Sequence, residues 1–348
     1  MKKRLLFFTV SLLSLWELRS QTTNGLSFDG ANDYVACGNI LTTSYTKEGW
    51  VLINAAAFQN NFISGGSAGQ HALWAPASYS NKLSAGHNGA WNQVQDPVSL
   101  TLGTWYHIAV TYNAATTTLK LYKNGILTSS NTAVPAYGGG TLLQLGSYDP
   151  GGNLMNGSMD EVRIWNYART GTDILNNMNC ELNAPQTGLI AYYRFNQGIA
   201  AAANPGLTTL TDLSGSNNNG TLLNFALTGA TSNWILGSPV NPLPNVTASA
   251  TNSFVCLGNQ TTLNGGGAST YIWTGSVTNA VAFAPTITAT YTVTGTDVNG
   301  CKNKAVQTVV VNNLPVVTAN VTNSVVCAGN LTTLSGGGAL TYTWTGSV

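Results

Sequence analysis

The sequence predicts an all-β chain built from antiparallel sandwiches, on three observations. Apolar residues make up 43% of the 348 and fall in short β-branched and aromatic runs, against only 7% charged residues. That mix is too apolar for a disordered chain, and the runs are too short for helices. Turn signals such as Asp29-Gly30, Asn124-Gly125 and Gly138-Gly139 separate the runs at short, regular intervals. The third observation is an internal repeat: residues 246–277 return as 317–348, Cys256 matching Cys327 and Trp273 matching Trp344, each 71 residues on. A period that long exceeds solenoid repeats and suits one small β-sandwich per copy.

Taken in order, the chain opens with Lys2, Lys3 and Arg4, an apolar stretch from Leu5 to Leu15, and a short polar end at Ser20. This is the three-part form of a secretory leader, and its apolar stretch is too short to span a bilayer comfortably. Cleavage is expected after residue 20. Its removal leaves 9 basic and 11 acidic side chains, a net charge of −2. A slightly acidic mature chain without a basic run argues against nucleic-acid binding, and no segment of it reads as a membrane span. Export also implies an oxidising compartment, so the five cysteines read as disulfides before they read as a metal site.

Residues 26–37 read as strand, turn and strand about Asp29-Gly30-Ala31-Asn32, and residues 48–54 as the next strand. Several short strands follow between His71 and Val94, carrying Trp74, Tyr79 and Trp91. The clearest hairpin joins 104–112 to 118–127, with Asn124-Gly125 inside the second run marking a type I′ turn whose central residues both need positive φ. A strand is expected over 141–146. A short helix over 172–178 is suggested by Asp173 in its first turn. Trp50, Trp105 and Trp165 lie in the strongest strands and are assigned to the core.

Residues 157–170, GSMDEVRIWNYART, close this set. Strict alternation puts Asp160, Val162 and Ile164 on one face and Met159, Glu161, Arg163 and Trp165 on the other. Val162 and Ile164 then face the core, Glu161 and Arg163 face solvent or an edge, and Asp160 shares the core parity, where a carboxylate must be paired, hydrogen-bonded or on a metal.

Together LSFDGANDYV, EGWVLIN, TWYHIAVTY with LKLYKNG, and GSMDEVRIWNYART resemble the laminin G-like jelly roll of the concanavalin A-like lectin and glucanase superfamily, over residues 25–183. The segment after Cys180, with GLIAYYRFNQG and TLTDLSGSNNNGTLLNF, is similar to a lead-in that often precedes such a domain. It is too short for a second jelly roll and is expected to pack on the first as an extra hairpin. Pro239, Pro242 and Pro244 mark a linker. The 71-residue copies look like the immunoglobulin-like or PKD-like repeats of bacterial surface proteins. The expected layout is a leader at 1–20, a jelly roll at 22–183, its extension at 184–238, a linker at 239–245, one immunoglobulin-like repeat at 246–312 and a truncated second at 313–348. Half a sandwich cannot bury its own face, so the chain is expected to be a piece of a longer array.

Candidate chemistry is sparse. Cys256 with Cys301 is the expected disulfide of the first repeat, with Cys37 and Cys180 as the remaining pair, although spacing does not dictate partners. The resemblance implies a structural calcium ion, with Asp29, Asn32 and Asp160 as candidate ligands. The competing reading has Asp29 and Asn32 bonding their own turn and Asp160 pairing with Arg163 or a backbone amide. Trp74, Tyr79, Trp91 and Tyr148 could stack on sugar rings, with His87, Asn88 and Gln93 adding hydrogen bonds, or some of the aromatics could fill the core. The glucanases of this superfamily carry a strand E-x-D-x-x-E, which does not occur here. Nor do the three histidines, His71, His87 and His107, accompany a nucleophile elbow. The expected protein is therefore a secreted or cell-surface, non-catalytic binding and adhesion protein. It would recognise glycan or another protein, its repeats serving as a spacer. The alternatives are a targeting module of a larger secreted enzyme and a purely structural adhesin array.

Overall fold

The computed structural model describes residues 23–346 apart from 67–68, 141, 150–151 and 238. The leader expected at 1–20, the first residue of the 141–146 strand and the last two residues of the second repeat lie outside the described residues. The chain is nearly all β and divides into two units, Met1–Leu243 and Pro244–Val348. No helix among the described residues is long and apolar enough to cross a membrane.

The first unit contains β1 (Asn24–Asp29), β2 (Tyr34–Ala36), β3 (Tyr45–Ile53), β4 (Ile63–Ser64), β5 (His71–Trp74), β6 (Lys82–His87), β7 (Val94–Ser99), β8 (Tyr106–Asn113), β9 (Thr118–Lys123), β10 (Ile126–Asn131), β11 (Gln144–Leu145), β12 (Asn156–Trp165), helix α1 (Gly171–Asn177), β13 (Leu189–Tyr193), β14 (Thr209–Leu210), β15 (Gly220–Leu223) and β16 (Trp234–Leu236). The larger sheet runs β10-β9-β8-β3-β12-β1-β16, with β13 also paired to β12; the facing sheet runs β14-β15-β2-β11-β4. Sheet β5-β6-β7 continues the second through bridges from Asn61 to Trp74 and Gly65 to His71. One core fills the space between the layers, with Leu26, Val51, Ile108, Val162 and Ile164 from the larger sheet against Val35, Ile63, Leu73, Leu83 and Leu145 from the other. Strands β13 and β16 enter the larger sheet and the β14–β15 hairpin joins β2, so the segment after Cys180 contributes to both layers.

The Asn124-Gly125 turn forms as expected, with φ of 50° and 75°, and sets Lys123 opposite Ile126. The helix begins at Thr170, whose side chain accepts from Asp173 N while the Asp173 carboxylate accepts from Thr170 N, a capping box.

Strand β12 departs from the expected alternation. Asp160 stands opposite Trp50 and Arg163 opposite Glu48, so Glu161 and Val162 together face the single residue Gly49, a β-bulge. Glu161 takes the extra position at φ 53°. The bulge resets the phase: Met159 and Val162 both enter the core, and Asp160 leaves the core parity that strict alternation assigns to it. The outward face is not wet either. Helix α1 packs Ile174 over Ala109 and Tyr122, and Leu182, Leu189 and Tyr192 cover Trp165, so Glu161 and Arg163 are buried rather than solvent-facing. Trp50 and Trp165 are buried on this covered outer face, Trp50 Nε1 donating to Met178 O, whereas Trp105 is only half-buried.

In the second unit β17 (Thr247–Ala250), β19 (Thr261–Gly266) and β21 (Ala282–Phe283) form one sheet. The other holds β18 (Phe254–Cys256), β23 (Lys302–Asn312), β22 (Ala289–Thr296) and β20 (Thr270–Trp273). Val246, Val255, Leu263, Trp273, Val293 and Val309 are their shared core. The second copy forms one hairpin, β24 (Thr318–Val321) with β25 (Leu334–Gly337), and its Trp344 is 39% exposed where Trp273 is 5%.

The disulfide expectations fail. Cys37, Cys256 and Cys327 are free thiols, so neither the Cys256–Cys301 nor the Cys37–Cys180 pair forms. Cys256 pairs with Asn312 at the far end of β23, while Cys301 precedes its first residue. About eleven strand residues, roughly 35 Å, separate them, beyond any disulfide. Cys37 lies in the core between the layers, and Cys180 O accepts from Arg163 on the covered outer face, so the larger sheet stands between that pair.

Candidate functional site

Strand alternation builds a cleft on the outer face of the second layer. In β5, His71 and Leu73 point into the sandwich and Ala72 and Trp74 point away, with Asn61 bridged to Trp74 alongside. The turn between β6 and β7 brings up Trp91, whose carbonyl accepts from Trp74 Nε1 at 2.9 Å. The loop after β11 brings up Tyr148, whose ring meets Trp91 edge-on at 5.0 Å. Asn61, Ala72, Trp74, Trp91, Tyr148 and Asn153 line a small, mostly apolar cleft of about 80 Å³. Three of the four aromatics proposed from the sequence therefore converge. The fourth, Tyr79, is 37% exposed and flanks Trp74 edge-on at 6.0 Å without lining the cleft.

Two polar atoms at the cleft lack partners. Asn61 is 1% exposed; its Nδ2 donates to Asn153 O at 2.9 Å, while its Oδ1 has no donor. The Tyr148 hydroxyl also has none, and burial, reinforced by the charge of Asp149, pushes its pKa up to about 12. Gly66 lets this loop approach: a Cβ there would lie 1.7 Å from Asp149 Oδ1. Asn61 and Asn153 carry no sequence motif. The one hint is the Asn60-Asn61 pair, since asparagine tolerates the positive φ that Asn60 adopts at 42°.

The polar residues expected beside the aromatics do structural work. His87 is buried, with Nδ1 2.9 Å from the Tyr45 hydroxyl and Nε2 2.7 Å from Pro135 O. Asn88 ties down residues 136 and 138, and Gln93 Oε1 accepts from His87 N.

The calcium candidates do not form one site. Asp29 pairs with Asn156 across β1 and β12, and Asp160 lies four residues further along β12, about 13 Å away. Asp29 Oδ1 accepts from Ala31 N, and Asp160 Oδ1 accepts from Glu161 N, the local bonding of the competing reading. Asn32 is exposed, and its carbonyl accepts from Asn224 Nδ2. No three His, Cys, Asp or Glu side chains converge on a metal position among the described residues.

Two buried polar clusters lie away from the cleft. Between the layers, Lys47 Nζ donates to Ile63 O at 2.8 Å and lies 3.2 Å from His71 Nδ1. Burial holds the pKa of both groups well below their ordinary values. On the covered outer face, Arg169 pairs with Glu48 at 2.7 Å and Arg163 with Glu161 at 2.6 Å. Burial opposes the charge on Glu48, but Arg169, Arg163 and His107 outweigh it and bring the carboxyl below its usual range. His107 is lowered to about 4, chiefly by burial. These groups are fully enclosed, so no substrate reaches them and they hold the fold.

A laminin G family model, described as the concanavalin A-like lectin/glucanases superfamily, matches residues 29–175. No curated protein matches the chain. Among solved structures, a candidate carbohydrate binding protein from Bacteroides ovatus is similar at 22% identity and a TM-score of 0.47, over 58% of this chain and 58% of that one. The chain thus spans less than two thirds of that protein's length. A SAP-like pentraxin from Limulus polyphemus is similar at 14% identity and a TM-score of 0.37, over 45% of this chain and 84% of that one. The CBM40 of a Ruminococcus gnavus sialidase, bound to α2,3-sialyllactose, is similar at 12% identity and a TM-score of 0.37, over 43% and 94%.

Proposed function

We propose that the first unit binds carbohydrate in the cleft of Trp74, Trp91 and Tyr148, without catalysis, as part of an exported surface protein whose repeats act as a spacer. The observation that carries this is the convergence of three half-buried aromatic rings on one outward face, where the Asn61 amide oxygen and the Tyr148 hydroxyl have no hydrogen-bond partner. Sugars present apolar C–H faces ringed by hydroxyls, and such a surface matches both. The lectin-like match over residues 29–175 supports the same reading. A glycosidase needs two carboxylates flanking one bond, and none of the six described lining residues is acidic, which favours binding over cleavage. The basic, apolar and polar segments of residues 1–20 support export.

The test is retention of the full chain on a glycan array and on immobilised polysaccharides, compared with Trp91→Ala and Trp74→Ala. Loss of an aromatic anchor is expected to weaken binding at least roughly tenfold. Undiminished binding by both variants would place the site elsewhere, and incubation of the bound glycan with the protein should release no reducing ends.

A further inference from the structure

The hydrogen bonding and charge of the cleft narrow its ligand class, an inference that rests on the glycan reading above. The Asn61 amide is fixed in one orientation because Nδ2 donates to Asn153 O at 2.9 Å. Its Oδ1 is then an acceptor and nothing else, and it has no donor in a residue 1% exposed. A buried acceptor without a donor carries a desolvation cost, and a ligand hydroxyl at the cleft would relieve it. The Tyr148 hydroxyl, also unpartnered, can donate or accept. One sugar hydroxyl, or two on neighbouring carbons, answers both atoms, since each hydroxyl donates once and accepts as well. An ionised carboxylate accepts only, so it could meet Tyr148 but would set its oxygens against Asn61 Oδ1.

The charge around the cleft points the same way. None of the six described lining residues is basic, so none of them offers a cation to an acid group. Asp149 follows Tyr148 in the loop and is exposed; a Cβ on Gly66 would lie 1.7 Å from Asp149 Oδ1 and 2.8 Å from Tyr148 Cε1, which sets the carboxylate beside the phenol ring that lines the cleft. A second negative charge brought into this small apolar cleft would be repelled without compensation.

We infer that the cleft selects uncharged sugar residues, a ligand hydroxyl donating to Asn61 Oδ1, and that Asp149 turns away residues carrying a carboxylate, such as uronic and sialic acids.

The test uses the full chain and matched pairs: lactose with 3′-sialyllactose, and methyl-esterified with free oligogalacturonide, alongside an array of neutral and acidic oligosaccharides. The expected result is that every retained glycan presents an uncharged residue and that adding a carboxylate to it weakens binding about tenfold or more. Asn61→Ala should lose roughly tenfold for neutral ligands while remaining folded, with a modestly lower melting temperature from the lost bond to Asn153 O. Asp149→Asn, at an exposed position, should narrow the neutral-to-acidic ratio about three- to fivefold at low salt, with the effect fading as salt is added. Acidic glycans bound as tightly as their neutral partners, or a ratio unmoved by Asp149→Asn, would overturn the selectivity and leave glycan binding standing. No glycan retained at all, or retention indifferent to Trp91→Ala, would remove the glycan reading and this inference with it.

Discussion

Glu161 Oε2 and Arg163 Nη2 lie 2.6 Å apart on a single strand, each side chain 1% exposed. Tyr192 donates its hydroxyl to the same Glu161 oxygen at 2.7 Å, and Arg163 also donates to the carbonyls of Asn177 and Cys180. The pair therefore fastens the segment after α1 to the larger sheet. Burial works against the Arg163 charge, but Glu161, Tyr192 and Glu48 more than offset it and raise its pKa above the ordinary guanidinium value.

Breaking this pair on one side should be costlier than removing it whole. Glu161→Ala leaves a buried guanidinium without its carboxylate, an expected loss of about 3–5 kcal/mol, whereas Glu161→Leu combined with Arg163→Met should cost clearly less. Urea unfolding of the full chain measures both. A double variant as unstable as the single one would mean that the backbone bonds from Arg163, and not the charge pair, hold the cover in place.

Lys47 gives a pH prediction whose sign differs from that of an ordinary ion pair. Its amine is enclosed between the layers, and burial depresses its folded pKa well below 10.5. In the unfolded chain the amine binds a proton throughout the neutral range, so wherever the folded state does not, stability rises with pH and falls as pH is lowered toward the folded value. Cys37 acts oppositely above pH 9, because burial raises its thiol from 9.0 to about 12. The clean window is therefore pH 7 to 9. Across it the stability difference between wild type and Lys47→Met should change by up to roughly 1.4 kcal/mol per pH unit in favour of wild type at high pH. The offset between the two curves includes the lost donor to Ile63 O, but their relative slope does not. Parallel curves would show that Lys47 stays protonated inside the sandwich.

What the sequence revealed and what it hid follow from the range of the interactions. The Asn124-Gly125 hairpin and the short helix signalled by Asp173 are set by residues within four positions of each other, so local chemistry suffices to read them. Trp74, Trp91 and Tyr148 were recognisable as residue types, but only the pairing of β5 with β6 and the loop after β11 bring them together. The expected 48–54 strand starts too late because Lys47 occupies an inward position; its partner Ile63 O lies sixteen residues away. The bulge at Glu161 is likewise silent, since the two residues facing Gly49 are identified only by the register of a neighbouring strand.

Tyr148→Phe separates a binding group from a structural one. The hydroxyl has no partner in the unliganded protein, so its removal should leave stability unchanged or raise it by about 1 kcal/mol. If the hydroxyl meets a ligand, the same variant should bind glycan roughly five- to tenfold more weakly while the Trp91 stack remains. Thermal melts and calorimetric titration of one preparation measure both. Destabilisation without loss of affinity would assign Tyr148 to packing alone.

The two repeat copies offer a paired experiment, because their tryptophans share a sequence context and differ in cover. Trp273 is 5% exposed, packs in the cluster with Val293 and Val309, and donates Nε1 to Asn279. Trp344, in TWTGS where Trp273 has IWTGS, is 39% exposed. Trp273→Ala should therefore cost about 3–5 kcal/mol in the unfolding of the second unit, and Trp344→Ala under about 1 kcal/mol. Acrylamide quenching gives an independent reading: fluorescence from a variant keeping only Trp344 should be quenched several-fold more steeply than from one keeping only Trp273. Equal costs for the two substitutions would mean that the second copy buries its tryptophan as the first does, and that the hairpin of β24 and β25 has a cover in solution.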